Sequence, residues 1–240
     1  MANRNVSALM AIALALGMVS CKREEADLKD IPSGPEAEQT APKQVNRSNL
    51  DDRLDQELQQ NLYPYLDSHG RTYSTVLVVS GKEQEVHVGS YSDGRFSVQA
   101  TYEVSTGRKG FGNKADSKKT PHGLLRVYGK TGKGPQYTAQ KGEEFEDWKF
   151  RGTIRKIYKR SRLFPNDEIA RVLTRMIWLE GLTGSNKNTR DRSIYFHGTN
   201  FEGSLGTPLS GGCIRMRNDD IIGLYDRVRR GTIVYISGVN

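Results

Sequence analysis

A histidine at position 197 and a cysteine at position 213 stand sixteen residues apart, and the stretch around them holds glycines at 198, 203, 206, 211 and 212 together with Pro208. Side chains so far apart along the chain meet only if the backbone between them doubles back. The glycines and the proline permit that return, because they allow tight turns and close backbone approach. The stretch Tyr195 to Arg217 therefore sets a requirement for the fold: something must deliver His197 to the cysteine loop and hold it there.

The surrounding sequence supplies mostly strands. Between Asn49 and Asp67, leucines at 50, 54, 58 and 62 recur every four positions, which predicts an amphipathic helix over 49–67, packed on the domain and ended by Pro64. From Tyr73 the period changes to alternating or continuous apolar runs. Thr75 to Ser80 predicts a buried strand, Glu83 to Ser90 its partner, and Phe96 to Thr106 the next strand after the Ser92-Asp93-Gly94 turn. His87, within an alternating strand, is expected at the surface. Thr106 to Pro121, rich in Gly and Lys, predicts an exposed loop, Gly123 to Tyr128 a strand, and residues 129–165 a loop or short helices over the sheet.

Two readings stay open for the next segment. Ile169, Val172, Leu173, Met176 and Ile177 fit a helical stripe, while Ala170 to Leu182 fits a long buried strand. Ser193 to His197 predicts a strand whose end carries the histidine. After the cysteine loop, Asn218 as N-cap, Asp219 and Asp220 in a first turn, an apolar face of Ile221, Ile222, Leu224, Tyr225 and Val228, and Gly231 at the close predict a short helix. Thr232 to Ile236 predicts a last strand. No internal repeat and no second core are visible, so one mainly β domain with minor α is expected over 73–238.

The N-terminus reads differently. Met1 to Ser7 carry one positive charge at Arg4, and Ala8 to Val19 are apolar apart from Gly17. This predicts a signal peptide over 1–20, too short for a membrane span of about 20 apolar residues. Its ending, Met-Val-Ser-Cys, resembles the lipobox of bacterial lipoproteins, so lipidation of Cys21 is expected, followed by a flexible tether over 21–48 rich in charge, Pro, Gln and Ala. Cys213 is then the remaining thiol. Exported proteins tend to pair their cysteines, so an unpaired one points to a reactive thiol, with a buried structural cysteine as the ordinary alternative.

Residues 22–60 hold six basic and ten acidic side chains, and residues 61–240 hold 29 basic and 18 acidic. The folded part is the basic part. Such a surface attracts nucleic acid, anionic lipid or a carboxylate-rich polymer, and an export signal makes nucleic acid the least fitting partner.

The chemistry follows from the thiol and the imidazole. The four histidines, at 69, 87, 122 and 197, have no close ligand spacing, and no glycine-rich phosphate loop precedes a helix, so no metal and no cofactor are expected. A cysteine nucleophile needs deprotonation, an oriented base, a stabilised oxyanion and access. His197 is the natural base, with His122 a rival that reads as a turn residue between Pro121 and Gly123. The N–H groups of Gly212 and Cys213 are candidates for the oxyanion site, and the Gly198 carbonyl for the group that orients the imidazole.

Ile-Tyr-Phe-His-Gly-Thr, sixteen positions from His to Cys, and Ser-Gly-Gly-Cys-Ile-Arg-Met-Arg-Asn together resemble the active-site signature of the L,D-transpeptidase family, whose catalytic module is also called the YkuD domain. Val-Ser-Thr-Gly at 104–107 and Thr-Pro-His-Gly at 120–123 extend the resemblance, which covers most of 73–238. It implies a single β-sandwich-type domain, mainly β with minor α, with one short helix after the cysteine loop. It also implies cysteine acyl transfer on bacterial peptidoglycan stem peptides, at a periplasmic membrane face given the lipid anchor. Residue by residue, Cys213 matches the nucleophile, His197 the base and acid, and the Gly198 carbonyl its orienter. Arg215 matches an arginine that either holds a substrate carboxylate or braces the loop, and Ser210 is grouped with it as a substrate contact. The acyl acceptor, a stem amine giving a 3→3 cross-link, a lipoprotein lysine or another amine, or water, stays open, as does a non-catalytic wall-binding lipoprotein. One departure stands out: many members carry Ser-His-Gly-Cys, and here Gly211 replaces that histidine.

Overall fold

The structure, a computed structural model, describes residues 50–70, 72–132 and 172–238. The expected signal peptide, tether and most of the 129–165 segment lie outside them. Among the described residues eight strands are formed: β1 (Tyr73–Ser80), β2 (Glu85–Ser92), β3 (Arg95–Ser105), β4 (Gly123–Thr131), β5 (Leu173–Gly181), β6 (Tyr195–Gly198), β7 (Ile214–Met216) and β8 (Ile233–Ile236). Three α-helices accompany them among the described residues: α1 (Asp52–Asn61), α2 (Tyr63–His69) and α3 (Asn218–Arg227). The protein is thus mainly β with minor α. Its β layers are continuous with one another, because the strands close into a barrel in the order β1-β2-β3-β7-β6-β5-β4-β8. Two junctions are parallel, β1 with β8 and β6 with β7, and the rest are antiparallel. The β3–β7 junction is short, because only Val104 and Ser105 of β3 meet β7.

Side-chain alternation fills the inside. Leu77 and Val79 of β1, Val86 and Val88 of β2, Leu125 and Val127 of β4, Ile177 and Leu179 of β5, Phe196 of β6 and Val234 and Ile236 of β8 share one buried cluster. As expected for a helix packed on the domain, an apolar layer lies on the outer face of the same strands. Val76, Val78, Tyr91, Phe96, Ile233 and Tyr235 meet Leu54, Leu58, Leu62 and Leu66 of the helical segment there. That is why β1 reads as a continuous apolar run: both of its faces are covered.

The leucine repeat does form a helical segment, but Pro64 does not end it. Asp51 caps α1 through its side chain on the Arg53 N–H, and the chain bends at Leu62 into α2, with Pro64 in the first turn. A proline there forfeits no helical hydrogen bond, since first-turn N–H groups have no partner within the helix. The ambiguous segment resolves as strand from Leu173. His87 is buried, not superficial, with Nδ1 2.9 Å from Thr101 Oγ1. At the far end of α3, the Lys130 ammonium donates to the carbonyls of Tyr225 and Val228 at 2.6 and 2.7 Å, meeting the negative end of the helix. No helix among the described residues is long and apolar enough to cross a membrane.

Candidate active site

The site lies on the outside of the barrel, where β5, β6 and β7 run side by side. Phe196, Ile214 and Met216 point inward to the core, so alternation turns Tyr195, His197 and Arg215 outward. In the parallel pairing of β6 with β7, His197 stands opposite Arg215. Carrying that register back sets Cys213 beside Tyr195, on the same face and one diagonal step from His197. Same-face neighbours at a diagonal are within reach of long or aromatic side chains. Cys213, Tyr195, Met176 and Trp178 form one buried cluster there, and the Tyr195 ring packs edge-on against the His197 ring at 5.5 Å.

His197 is 4% exposed, and its Nδ1 lies 2.7 Å from the Gly198 carbonyl oxygen. A carbonyl only accepts, so Nδ1 carries the hydrogen and Nε2 the lone pair. Burial pushes the imidazole pKa from 6.5 down to about 3, the Gly198 hydrogen bond pulls the other way, and the positive charge of Arg215 adds to the depression. The ring is therefore neutral at neutral pH. Cys213 is 2% exposed and forms no disulfide among the described residues, and its thiol lies 3.5 Å from the Ser193 carbonyl oxygen. The neutral imidazole is thus suited to taking up a proton during attack.

The cysteine loop is braced from several sides. Ser210 Oγ donates to the Cys213 carbonyl at 2.5 Å and accepts from the Gly212 N–H at 3.0 Å. Ser210, expected as a substrate contact, is instead buried within the turn. The Gly212 N–H, expected in the oxyanion site, is committed to that hydroxyl, so an oxyanion there must share or displace it. The signal was present in the sequence, because a serine two residues before a glycine N–H is a common side-chain turn. Gly212 itself has φ +128 and faces the Lys119 carbonyl, which leaves little room for a side chain. Thr120 Oγ1 donates to the Gly212 carbonyl at 2.9 Å and accepts from the Gly107 N–H at 2.8 Å. The buried Arg192 holds the Lys119 and Gly112 carbonyls at 2.6 and 3.0 Å. The loop expected to be exposed over 106–121 is thus tied by its ends to the site.

The structure brings together Cys213, His197, Gly198 and Arg215. His122 stays an exposed turn residue, its N–H on Asn113 Oδ1 and its carbonyl on Asn186 Nδ2. Behind Gly198 sit Thr174 and Glu202, which the sequence did not single out, and Asn218, which it marked only as a helix cap. Asn218 was expected as an N-cap, but the helix begins at Asn218 itself and Glu202 Oε1 accepts its N–H at 2.8 Å.

Residues 74–236 match a family model described as YkuD, the L,D-transpeptidase catalytic domain. A putative L,D-transpeptidase, YqjB, of Bacillus subtilis is 44% identical over 54 residues, 22% of this chain and 31% of that protein. The probable L,D-transpeptidase ErfK/SrfK of Escherichia coli is 55% identical over 45 residues, 19% of this chain and 14% of its own. The chain thus spans less than a third of the length of each of these relatives. Among solved structures, an L,D-transpeptidase from Mycobacterium smegmatis aligns over 68% of this chain and 58% of its own, with 17% identity and a TM-score of 0.40. Bd1075 of Bdellovibrio bacteriovorus aligns over 70% and 49%, with 17% identity and a TM-score of 0.43. The family match rests on the sequence model.

Proposed function

Since the chain belongs to the L,D-transpeptidase catalytic domain family, we propose that it is a cysteine acyltransferase acting on peptidoglycan stem peptides. The observation that carries this reading is the outward placement of Cys213 and His197 on adjoining strands, with Nδ1 fixed by Gly198 so that Nε2 is turned to acceptance. Sγ attacks the carbonyl that joins the third stem residue to a terminal D-alanine while Nε2 takes the thiol proton. The C–N bond breaks, the imidazolium returns the proton to the departing amine, and a thioester remains. A second stem amine, or another amine acceptor, then attacks the thioester and releases the thiol. Buried beside His197, Arg215 disfavours a standing imidazolium, so the ring gains its proton only as charge moves in the reaction. The basic domain suits a carboxylate-bearing polymer, and the signal-like segment ending at Cys21 supports the reading of a lipid-anchored protein on a periplasmic membrane face.

The test uses a carbapenem, which acylates a reactive thiol. Mass spectrometry should find one adduct on the wild type, none on Cys213→Ala, and formation on His197→Ala slowed by roughly a hundredfold or more. An adduct that persists in Cys213→Ala overturns the assignment. Incubation with sacculi containing tetrapeptides should yield new cross-linked dimers, whereas shortened monomers alone would assign water as the acceptor.

A further inference from the structure

We propose that Asn218 is a positioning residue for His197: it holds the strand end so that the Gly198 carbonyl stays on Nδ1, which keeps the imidazole in the tautomer able to accept a proton at Nε2. The inference rests on the reading of Cys213 and His197 as nucleophile and base.

Asn218 is 7% exposed, and each polar atom of its side chain is occupied. Nδ2 donates to the Thr199 carbonyl at 2.7 Å and to Glu202 Oε1 at 2.7 Å, and Oδ1 accepts from Thr174 Oγ1 at 2.5 Å. A carbonyl and a carboxylate on one side and a hydroxyl on the other fix which end of the amide is which. An asparagine at a helix start ordinarily bonds the N–H groups of its own helix. Here no side chain caps α3 in that way, and the amide is spent on the end of β6 instead.

Successive carbonyls of an extended chain point to opposite sides. With the Thr199 carbonyl tied to Asn218, the Gly198 carbonyl is turned the other way, onto the imidazole. Asn218 also packs directly on the Gly198 backbone: a Cβ at 198 would collide with Asn218 Oδ1 and approach the Leu173 carbonyl at 3.0 Å. Only glycine allows that contact.

The amide is held in turn by a bulge. Leu173 pairs with Gly198 and Met176 with His197, so two extra residues, Thr174 and Arg175, are inserted into β5 directly beside the histidine. Thr174 has φ +67, a costly conformation for a β-branched residue, and from it the hydroxyl reaches Asn218. One amide thereby joins the β5 bulge, the end of β6 and the start of α3 at the carbonyl that orients the base.

Long-range proton–nitrogen spectra of the imidazoles at neutral pH test the proposal, with His197→Gln identifying the resonance. The wild type should show the Nδ1–H tautomer alone. Asn218→Ala should show a mixture of tautomers and carbapenem acylation slowed by about tenfold to a hundredfold. Thr174→Val, which deletes one hydroxyl at constant shape, should shift the tautomers in the same direction by less, and decides the matter alone if Asn218→Ala does not fold. Retention of the single tautomer in every variant that folds, whatever its rate, overturns the proposal. A wild type that forms no adduct, with tautomers mixed in the variants, counts against the nucleophile while supporting the positioning role.

Discussion

As the proposed base, His197 can act only while unprotonated, and burial keeps it so far below the ordinary histidine range, to about 3. The acid limb of the reaction should move with it. Acylation by a carbapenem should hold within about twofold between pH 7 and pH 5, where the neutral form of a histidine of ordinary pKa would fall about 25-fold. A stopped-flow pH profile checks this, and a rate halved near pH 6.5 would show an ordinary imidazole. Gly211 acts at the same scale by leaving one stretch of the cysteine loop without a side chain, next to a thiol that is itself deeply covered.

At the level of elements, the two helices before the barrel and the reactive face belong to different strands. The helices cover β1 and β8, and β1 lies four strands from β6 in either direction around the ring. Leu58→Ala, which empties a fully buried position under α1, should cost about 2–5 kcal/mol of stability in a denaturant titration while leaving acylation per folded molecule unchanged. The leucine repeat announced this segment, because one covered face of a helix leaves a four-residue period. Strand β5 was harder to read because its two faces are both buried, Ile177 and Leu179 inward and Met176 and Trp178 outward, which erases the alternation that marks a strand. Within the site, Cys213, His197 and the Gly198 carbonyl were legible from local spacing. Thr174 and Asn218 were not, because their roles depend on a bulge and on a contact between residues 44 apart.

For the whole molecule, two buried groups tilt stability with pH in opposite senses. The native state refuses His197 a proton that the unfolded chain accepts below 6.5, so the stability from this group is complete above that value and lost as pH falls toward about 3. Burial raises Asp220 from 3.8 to about 6, against the nearby Arg217 guanidinium, so its contribution is present at low pH and lost as pH rises through that window. Comparing His197→Gln with the wild type isolates the first effect: between pH 7 and pH 4 the variant should gain about 3 kcal/mol relative to wild type in urea titrations. An unchanged difference would mean that the imidazole is protonated in the fold. The order of the ring has a consequence of another kind. Strand β1 finds its outer partner in β8, the last of the described strands, and β8 also bridges to β4. A chain delivered N-terminus first, from a ribosome or through a translocation pore, holds an open sheet whose seam waits for β8, more than 150 residues after β1, so closure is a long-range event.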